Sequence, residues 1–253
     1  MIYIKKRHEI EMVKESAEIL RVVFEKVDQF VKVGVRSRDL DEYIYESITK
    51  MGAEPAFLGY RGFPASSCIS LNDEVVHGIP DERKFEQGDL VKVDIGVNYK
   101  GYFSDAAKTY FLNNGESDLN INRLISGTKL ALLNGMMALK EGIHVSDISS
   151  AIESTADRFR LGVVKALGGH GVGLRLHEDP FVPNYGEPGT GPILNNGVII
   201  AIEPMFTLGN GDVLERENGW TIVTRDGSWA AHFEETVLVT REGFENLTKV
   251  VYG

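Results

Sequence analysis

The chain has 253 residues, 43% hydrophobic and 25% charged, the balance of a globular protein long enough to bury a large core. Its 37 acidic and 27 basic residues leave a net charge of −10, which argues against the basic face that a general nucleic-acid binder needs. No run approaches the length of a membrane span, no signal-peptide pattern opens the chain, and the lone Cys68 excludes an internal disulfide, so a reducing, cytoplasmic setting is expected.

From Ile10, apolar residues at Val13, Ala17, Leu20, Phe24, Val27 and Val31 step by three and four, which predicts a long helix with one buried face, ended by Gly34. Leu40, Ile44, Ile48 and Met51 mark a second helix closed by Gly52. Residues 54–81 mix Gly, Pro, Ser and Asn with short apolar runs and read as strands and loops, with a turn at Asn72-Asp73. Val91, Val93, Ile95 and Val97 then alternate with other residues, the period of a strand with one apolar face. Asn98-Tyr99-Lys100-Gly101 is turn material, and Tyr102 to Phe111 reads as the returning strand. That hairpin brings Asp94 and Asp105 close to opposite each other. Carboxylates so near one another in a partly buried sheet need a shared proton or a cation between them; a solvated, turn-proximal pair is the other reading.

Residues 113–118 form the expected linker, after which the order repeats. Ile121, Leu124, Thr128, Leu132, Gly135 and Leu139 mark a long helix, and Ile148, Ile152, Thr155 and Phe159 a shorter one. A strand-rich region follows, with a second hairpin expected around Arg225-Asp226-Gly227-Ser228, because Asp-Gly tolerates positive φ. Lys32-Val33-Gly34 before Asp39-Leu40 recurs as Lys140-Glu141-Gly142 before Asp147-Ile148 at one common offset. The expected architecture is therefore two copies of a helix-helix-sheet unit, about residues 1–112 and 113–253, fused into one sheet covered by helices.

The second copy carries its own ligand-like residues. Gly168-Gly169-His170-Gly171 sets an imidazole among glycines, Glu203 ends an apolar strand before a proline, and Glu234-Glu235 lies inside another apolar stretch. A carboxylate in a hydrophobic strand is costly unless paired or bound to metal. Asp94, Asp105, His170, Glu203 and one of Glu234 and Glu235 supply four carboxylates and one imidazole. Such an oxygen-rich set suits two divalent first-row ions better than a closed structural zinc site. Spacing alone leaves open whether these residues meet.

Eight stretches in order carry a resemblance. They are Gly-Tyr-Arg-Gly-Phe-Pro (59–64), Cys-Ile-Ser-Leu-Asn-Asp-Glu-Val-Val-His-Gly-Ile-Pro (68–80), Val-Asp-Ile-Gly (93–96) and Ser-Asp-Ala-Ala (104–107). Gly-His-Gly-Val-Gly (169–173), Leu-His-Glu-Asp-Pro (176–180), Ile-Glu-Pro-Met (202–205) and Phe-Glu-Glu-Thr (233–236) complete them. Over almost its whole length the chain resembles the type I methionine aminopeptidases of the pita-bread metallopeptidase fold. The resemblance implies an α+β fold, one catalytic domain spanning 1–253, whose two pseudo-symmetric halves share a central antiparallel sheet. It implies two divalent metal ions (Co, Mn, Fe or Zn), with Asp94 on one, His170 and Glu203 on the other, and Asp105 and Glu234 bridging. His77 and His177 are then contacts to substrate and to the developing tetrahedral centre, and Glu203 shuttles a proton to the leaving amine. Tyr60, Phe63, Cys68 and Trp220 line a pocket for a methionine side chain, closed by His77. The implied activity is removal of the initiator methionine from nascent polypeptide N-termini when the second residue is small, by a monomer working near the ribosome.

Three departures bear on substrate preference: His232 and Glu235, where the family usually carries another polar residue and a histidine, and Leu176, aromatic in some relatives. Strand parity favours Glu234 over Glu235 as the ligand, since Glu235 shares a face with Phe233, Val237 and Val239 and would need a partner of its own. One rival is a proline-directed aminopeptidase of the same fold, whose large extra N-terminal domain has no room before Asp94. The other is a non-catalytic binding protein, which lost ligands would betray.

Overall fold

The computed structural model describes residues 1–113, 115 and 117–252. Helix α1 (Arg7–Phe30) starts with the Glu9 carboxylate accepting the Lys6 backbone N–H at 2.6 Å, and it buries Val13, Ala17, Leu20, Phe24 and Val27 as the spacing predicts. Its one buried hydroxyl, Ser16, donates to the Val97 carbonyl at 3.0 Å and meets Ser104 Oγ at 2.9 Å, so the helix is keyed as well as greased onto the sheet below. Helix α2 (Ser37–Lys50) adds Leu40, Ile44 and Ile48, all fully buried, and ends where Gly52 takes a φ of 74°.

Under these helices lies the first hairpin, strands Leu90–Tyr99 and Tyr102–Phe111, turned through Lys100 and Gly101, both at positive φ. Val91, Val93, Ile95 and Val97 pack against α1 and α2, which leaves Asp94 on the other face. The register sets Asp94 opposite Ala107 and Asp105 opposite Gly96. The two carboxylates are therefore close to opposite, as diagonal neighbours two residues off a direct pair. Strands Cys68–Leu71 and Glu54–Pro55 flank Leu90–Tyr99 on the same sheet.

The second half repeats the layering. Helix α3 (Leu119–Met137) is capped by Asp118, which accepts from the N–H groups of Asn120 and Ile121. Asn114 and Glu116 of the expected linker lie outside the described residues. Helix α4 (Val145–Phe159) follows, and both pack on a five-stranded antiparallel sheet ordered Phe244–Asn246, Glu235–Val239, Ile199–Ile202, Gly168–Gly171 and Glu178–Pro183. The two sheets meet at a backbone bridge: Glu234 N–H donates to the Ala107 carbonyl at 2.9 Å, and Thr236 Oγ1 clamps Asp105 at both its N–H (3.0 Å) and its carbonyl (2.8 Å).

The expected second hairpin differs. Gly227 has the positive φ its turn requires, but the strands on either side part company. Ile222–Thr224 pairs with Val213–Glu215 and Glu74–Val76, and Ala230–His232 pairs with Met205–Thr207. The reason is the Asn72-Asp73 turn of the first half, which wedges between them: the Asp73 carbonyl takes Thr224 N–H and the Asn72 carbonyl takes Ala230 N–H. Turn chemistry was read correctly; the partners were supplied from far away in the chain.

Candidate metal centre

Close backbone approach puts His170 where it is. A Cβ on Gly169 would stand 2.2 Å from the Ala201 carbonyl oxygen, and one on Gly171 would stand 2.2 Å from that of Asp179. Only glycine lets the strands on both sides close on the short Gly168–Gly171 strand. The His170 ring is then fixed by Nδ1 donating to the Gly171 carbonyl at 2.9 Å, which assigns the proton to Nδ1 and leaves the Nε2 lone pair free. Nε2 stands 3.8 Å from Asp105 Oδ2 and 3.7 Å from Glu203 Oε1.

Those separations are too long for hydrogen bonds. They lie near the about 3–3.6 Å between neighbouring donor atoms that share a first-row cation at about 2.0–2.2 Å each. One donor atom each of Asp105, His170 and Glu234, all buried residues, lie within 4.8 Å of one another. Asp94 Oδ1, Asp105 Oδ1 and Glu234 Oε1 are buried with no hydrogen-bond partner. Burial pushes the Asp94 carboxyl up to about 7, and it raises Asp105 and Glu234 well above the ordinary carboxylate range with help from their acidic neighbours. A cation reverses that logic, and the orphaned oxygens fit one. Burial works to raise Glu203 as well, but the imidazoles of His232 and His170 beside it hold it below its usual value.

All five residues border one cavity of about 150 Å³, together with His77, His177, Tyr60, Phe63, Cys68 and Trp220. His77 ends the Glu74–Val76 strand with a φ of 57°, unusual for a residue with a side chain, and burial depresses its imidazole. The strain follows from Gly78, whose Cβ position lies 2.2 Å from the Ile69 carbonyl oxygen, so the chain must turn sharply one residue earlier. His177 stands at the mouth, its Nδ1 2.9 Å from the Tyr60 hydroxyl and its ring 4.2 Å from that of His170. The protein packed around it, and then His170, bring its pKa down to about 3, so the ring is neutral. In the tautomer whose Nδ1 accepts from the Tyr60 hydroxyl, His177 carries an Nε2–H to give. The loop that carries it is tied down by Glu178, which accepts from Leu174 and Arg175 N–H and pairs with the fully buried Lys5 ammonium at 2.7 Å.

Phe63 and Trp220 meet edge to face at 5.1 Å, and Cys68 and Leu176 complete an apolar wall. Cys68 sits opposite Asp94 in the sheet; burial and that neighbour raise its thiol well above the usual range, which leaves no thiolate nucleophile. Phe57 and Arg61 line the cavity too. Sequence reasoning gave neither a role. Phe57 is one aromatic in a loop, placed by Gly96, whose missing Cβ makes the room (it would lie 2.6 Å from the Phe57 ring).

The three departures fall in three places. Leu176 is in the pocket wall. His232 is 1% exposed behind Glu203, with neither ring nitrogen hydrogen-bonded. Glu235 turns away from the cavity and accepts from Thr248 Oγ1 and from the N–H groups of Val250 (3.1 Å), Val251 (2.7 Å) and Tyr252 (3.0 Å). That is the partner its burial demanded. Of the outlying histidines, His8 is exposed and His144 is half-buried, its Nδ1 2.9 Å from the Gly191 carbonyl.

A sequence profile described as metallopeptidase family M24 matches residues 11–241. The chain is 40% identical to methionine aminopeptidase 1 of Bacillus subtilis, over 99% of this chain and 100% of that one. It is 43% identical to a methionine aminopeptidase of Clostridium acetobutylicum, over 98% of this chain and 99% of that one. The crystal structure of a methionine aminopeptidase from Thermotoga maritima superposes with a TM-score of 0.95 at 41% identity, covering 98% and 99% of the two chains. A prolidase from Pyrococcus furiosus superposes with a TM-score of 0.79 at 25% identity, and there the chain spans 65% of the longer protein.

Proposed function

The chain belongs to metallopeptidase family M24, and from that premise we propose that it is a methionine aminopeptidase, releasing the N-terminal methionine of nascent proteins and peptides whose second residue is small. The fold is the α+β pita-bread fold, and the family's chemistry depends on divalent metal. We read the finer points from the residues. Two ions would be held here, one by Asp94 and the other by His170 and Glu203, with Asp105 and Glu234 shared between them. The observation that carries this is the set of buried carboxylate oxygens with no protein partner, gathered beside a histidine nitrogen in one cavity.

When bound, the two cations supply Lewis acidity that lowers the pKa of water to near neutrality and polarises the scissile carbonyl. The protein does the rest. Glu203 takes the proton released as water attacks and returns it to the leaving amine. His177 gives its Nε2–H to the oxygen on which charge develops. His77, which borders the same cavity, contacts the substrate. Tyr60, Phe63, Cys68 and Trp220 receive the methionine side chain, whose polarisable sulfur favours aromatic neighbours.

The same reading takes residues 1–253 as one catalytic domain with related halves, 1–112 and 113–253. Leu40, Ile44 and Ile48 of α2 recur as Ile148, Ile152 and Ala156 of α4, every one fully buried, which supports it. It also makes the protein a cytoplasmic monomer meeting its substrates near the ribosome. The unpaired Cys68 suits that reducing compartment.

Peptides test the assignment. Met-Ala-Ser should lose its methionine, a chelator should stop the reaction, and added Mn²⁺ or Co²⁺ should restore it. Release from Xaa-Pro peptides in preference to Met-Ala-Ser would favour the proline-directed reading, and no hydrolysis of either would favour a binding protein.

A further inference from the structure

We infer that His232 is a positioning residue of the metal centre: it engages the second oxygen of Glu203 and so fixes which oxygen that carboxylate offers to a cation. Glu203 lies between two imidazoles, one at each oxygen. Oε1 is 3.7 Å from His170 Nε2, and Oε2 is 3.5 Å from His232 Nε2. His170 has its Nδ1 satisfied by a carbonyl, so its free nitrogen faces the cluster as an electron-pair donor. His232 has no such anchor. Both of its ring nitrogens are buried without a hydrogen-bond partner, and a neutral imidazole must carry a proton on one of them.

Leaving that N–H unmade in a ring only 1% exposed is costly. Glu203 Oε2 is the acceptor within reach, and a few tenths of an ångström of side-chain movement closes the gap. The backbone is not what moves. Thr109 Oγ1 accepts the His232 N–H at 3.0 Å and donates to its carbonyl at 2.5 Å, and the strand register sets His232 opposite Met205, two residues beyond Glu203. The ring is thus delivered to Glu203 by the sheet itself. Asp94 and His77 are the other ionisable groups within its electrostatic reach.

A carboxylate with Oε2 held by an N–H donor presents Oε1, on the His170 side, as a single fixed ligand atom. Removing such a supporting donor from a ligating group typically weakens metal binding about 10–100-fold. The inference rests on the dinuclear reading above.

Calorimetric titration of the metal-stripped protein with Mn²⁺ separates the two. Wild type should take up two ions. His232→Ala should weaken one of the two binding events about tenfold or more, His232→Gln should recover most of the loss because it keeps an N–H donor, and in a Glu203→Ala background His232→Ala should add nothing. Unchanged affinity in His232→Ala, a Gln variant as weak as the Ala variant, or an additive loss in the double variant would each overturn the role for His232 while leaving the dinuclear centre standing. Uptake of fewer than two ions by wild type would overturn the dinuclear reading and this inference with it.

Discussion

His177 and His77 both border the cavity, but among the described residues it is His170 whose nitrogen comes within ion-pair distance of Asp105 and Glu203. His177→Ala and His77→Ala are therefore expected to lower kcat, about 10²–10³-fold for His177, while metal content by elemental analysis stays at the wild-type level. Loss of metal from either variant would place that ring among the ligands. Single residues were also the scale at which the sequence spoke most clearly. Alternation separates Glu234 from Glu235: Phe233, Val237 and Val239 lie in the core that α3 and α4 cover, and Glu234 lies across from them at the cavity. The sequence offers no partner for His232, because Glu203 comes from a strand it reaches only through folding.

Elements hold these residues in register, and two of them can be probed alone. A methyl group on Gly169 must push apart the strands that His170 bridges, since the Ala201 carbonyl oxygen is only 2.2 Å from where it would go. Gly169→Ala should lower stability by several kcal/mol, read from urea unfolding, and weaken metal binding in whatever fraction remains folded. Glu235 serves a different element. Its carboxylate gathers three backbone N–H groups and a hydroxyl of the segment 248–252, so Glu235→Gln, which forfeits the charge and turns one acceptor into a donor, should cost about 2–3 kcal/mol yet keep two metals and measurable turnover. Inactivation of a folded Glu235→Gln would show that the wrong glutamate had been assigned to the metals. At this scale the helices and the first hairpin were readable because periodicity and turn residues are local signals. The diagonal offset of Asp94 and Asp105 was not, since a two-residue difference in turn length decides it, and the flanks of the Arg225–Ser228 turn part because Asn72 and Asp73 compete for its flanking N–H groups.

For the molecule as a whole, function depends on where two sheets meet. Asp105 and Glu234 lie on either side of a bridge that joins them, so packing of the two sheets against each other is what gathers these residues. No spacing rule along the chain could announce that meeting; the resemblance supplied it. The cavity they share, about 150 Å³ behind a wall of Tyr60, Phe63 and Trp220, has space for one long side chain and little beyond it. Met-Ala and Met-Gly peptides should therefore be cleaved at least about a hundredfold faster than Met-Leu or Met-Ile, a margin of about 2.7 kcal/mol. Comparable rates for Met-Ala and Met-Ile would mean that the second residue does not sense this cavity.

The dinuclear centre is the claim on which the rest depends, and anomalous diffraction from Mn²⁺-loaded crystals addresses it without passing through activity. Two anomalous peaks are expected, one beside Asp94 and one beside His170 and Glu203, with Asp105 and Glu234 between them; Glu234→Ala should lose at least one peak, and Glu235→Gln should keep both. A single peak or none at this position in wild type, or two intact peaks in Glu234→Ala, would contradict the account.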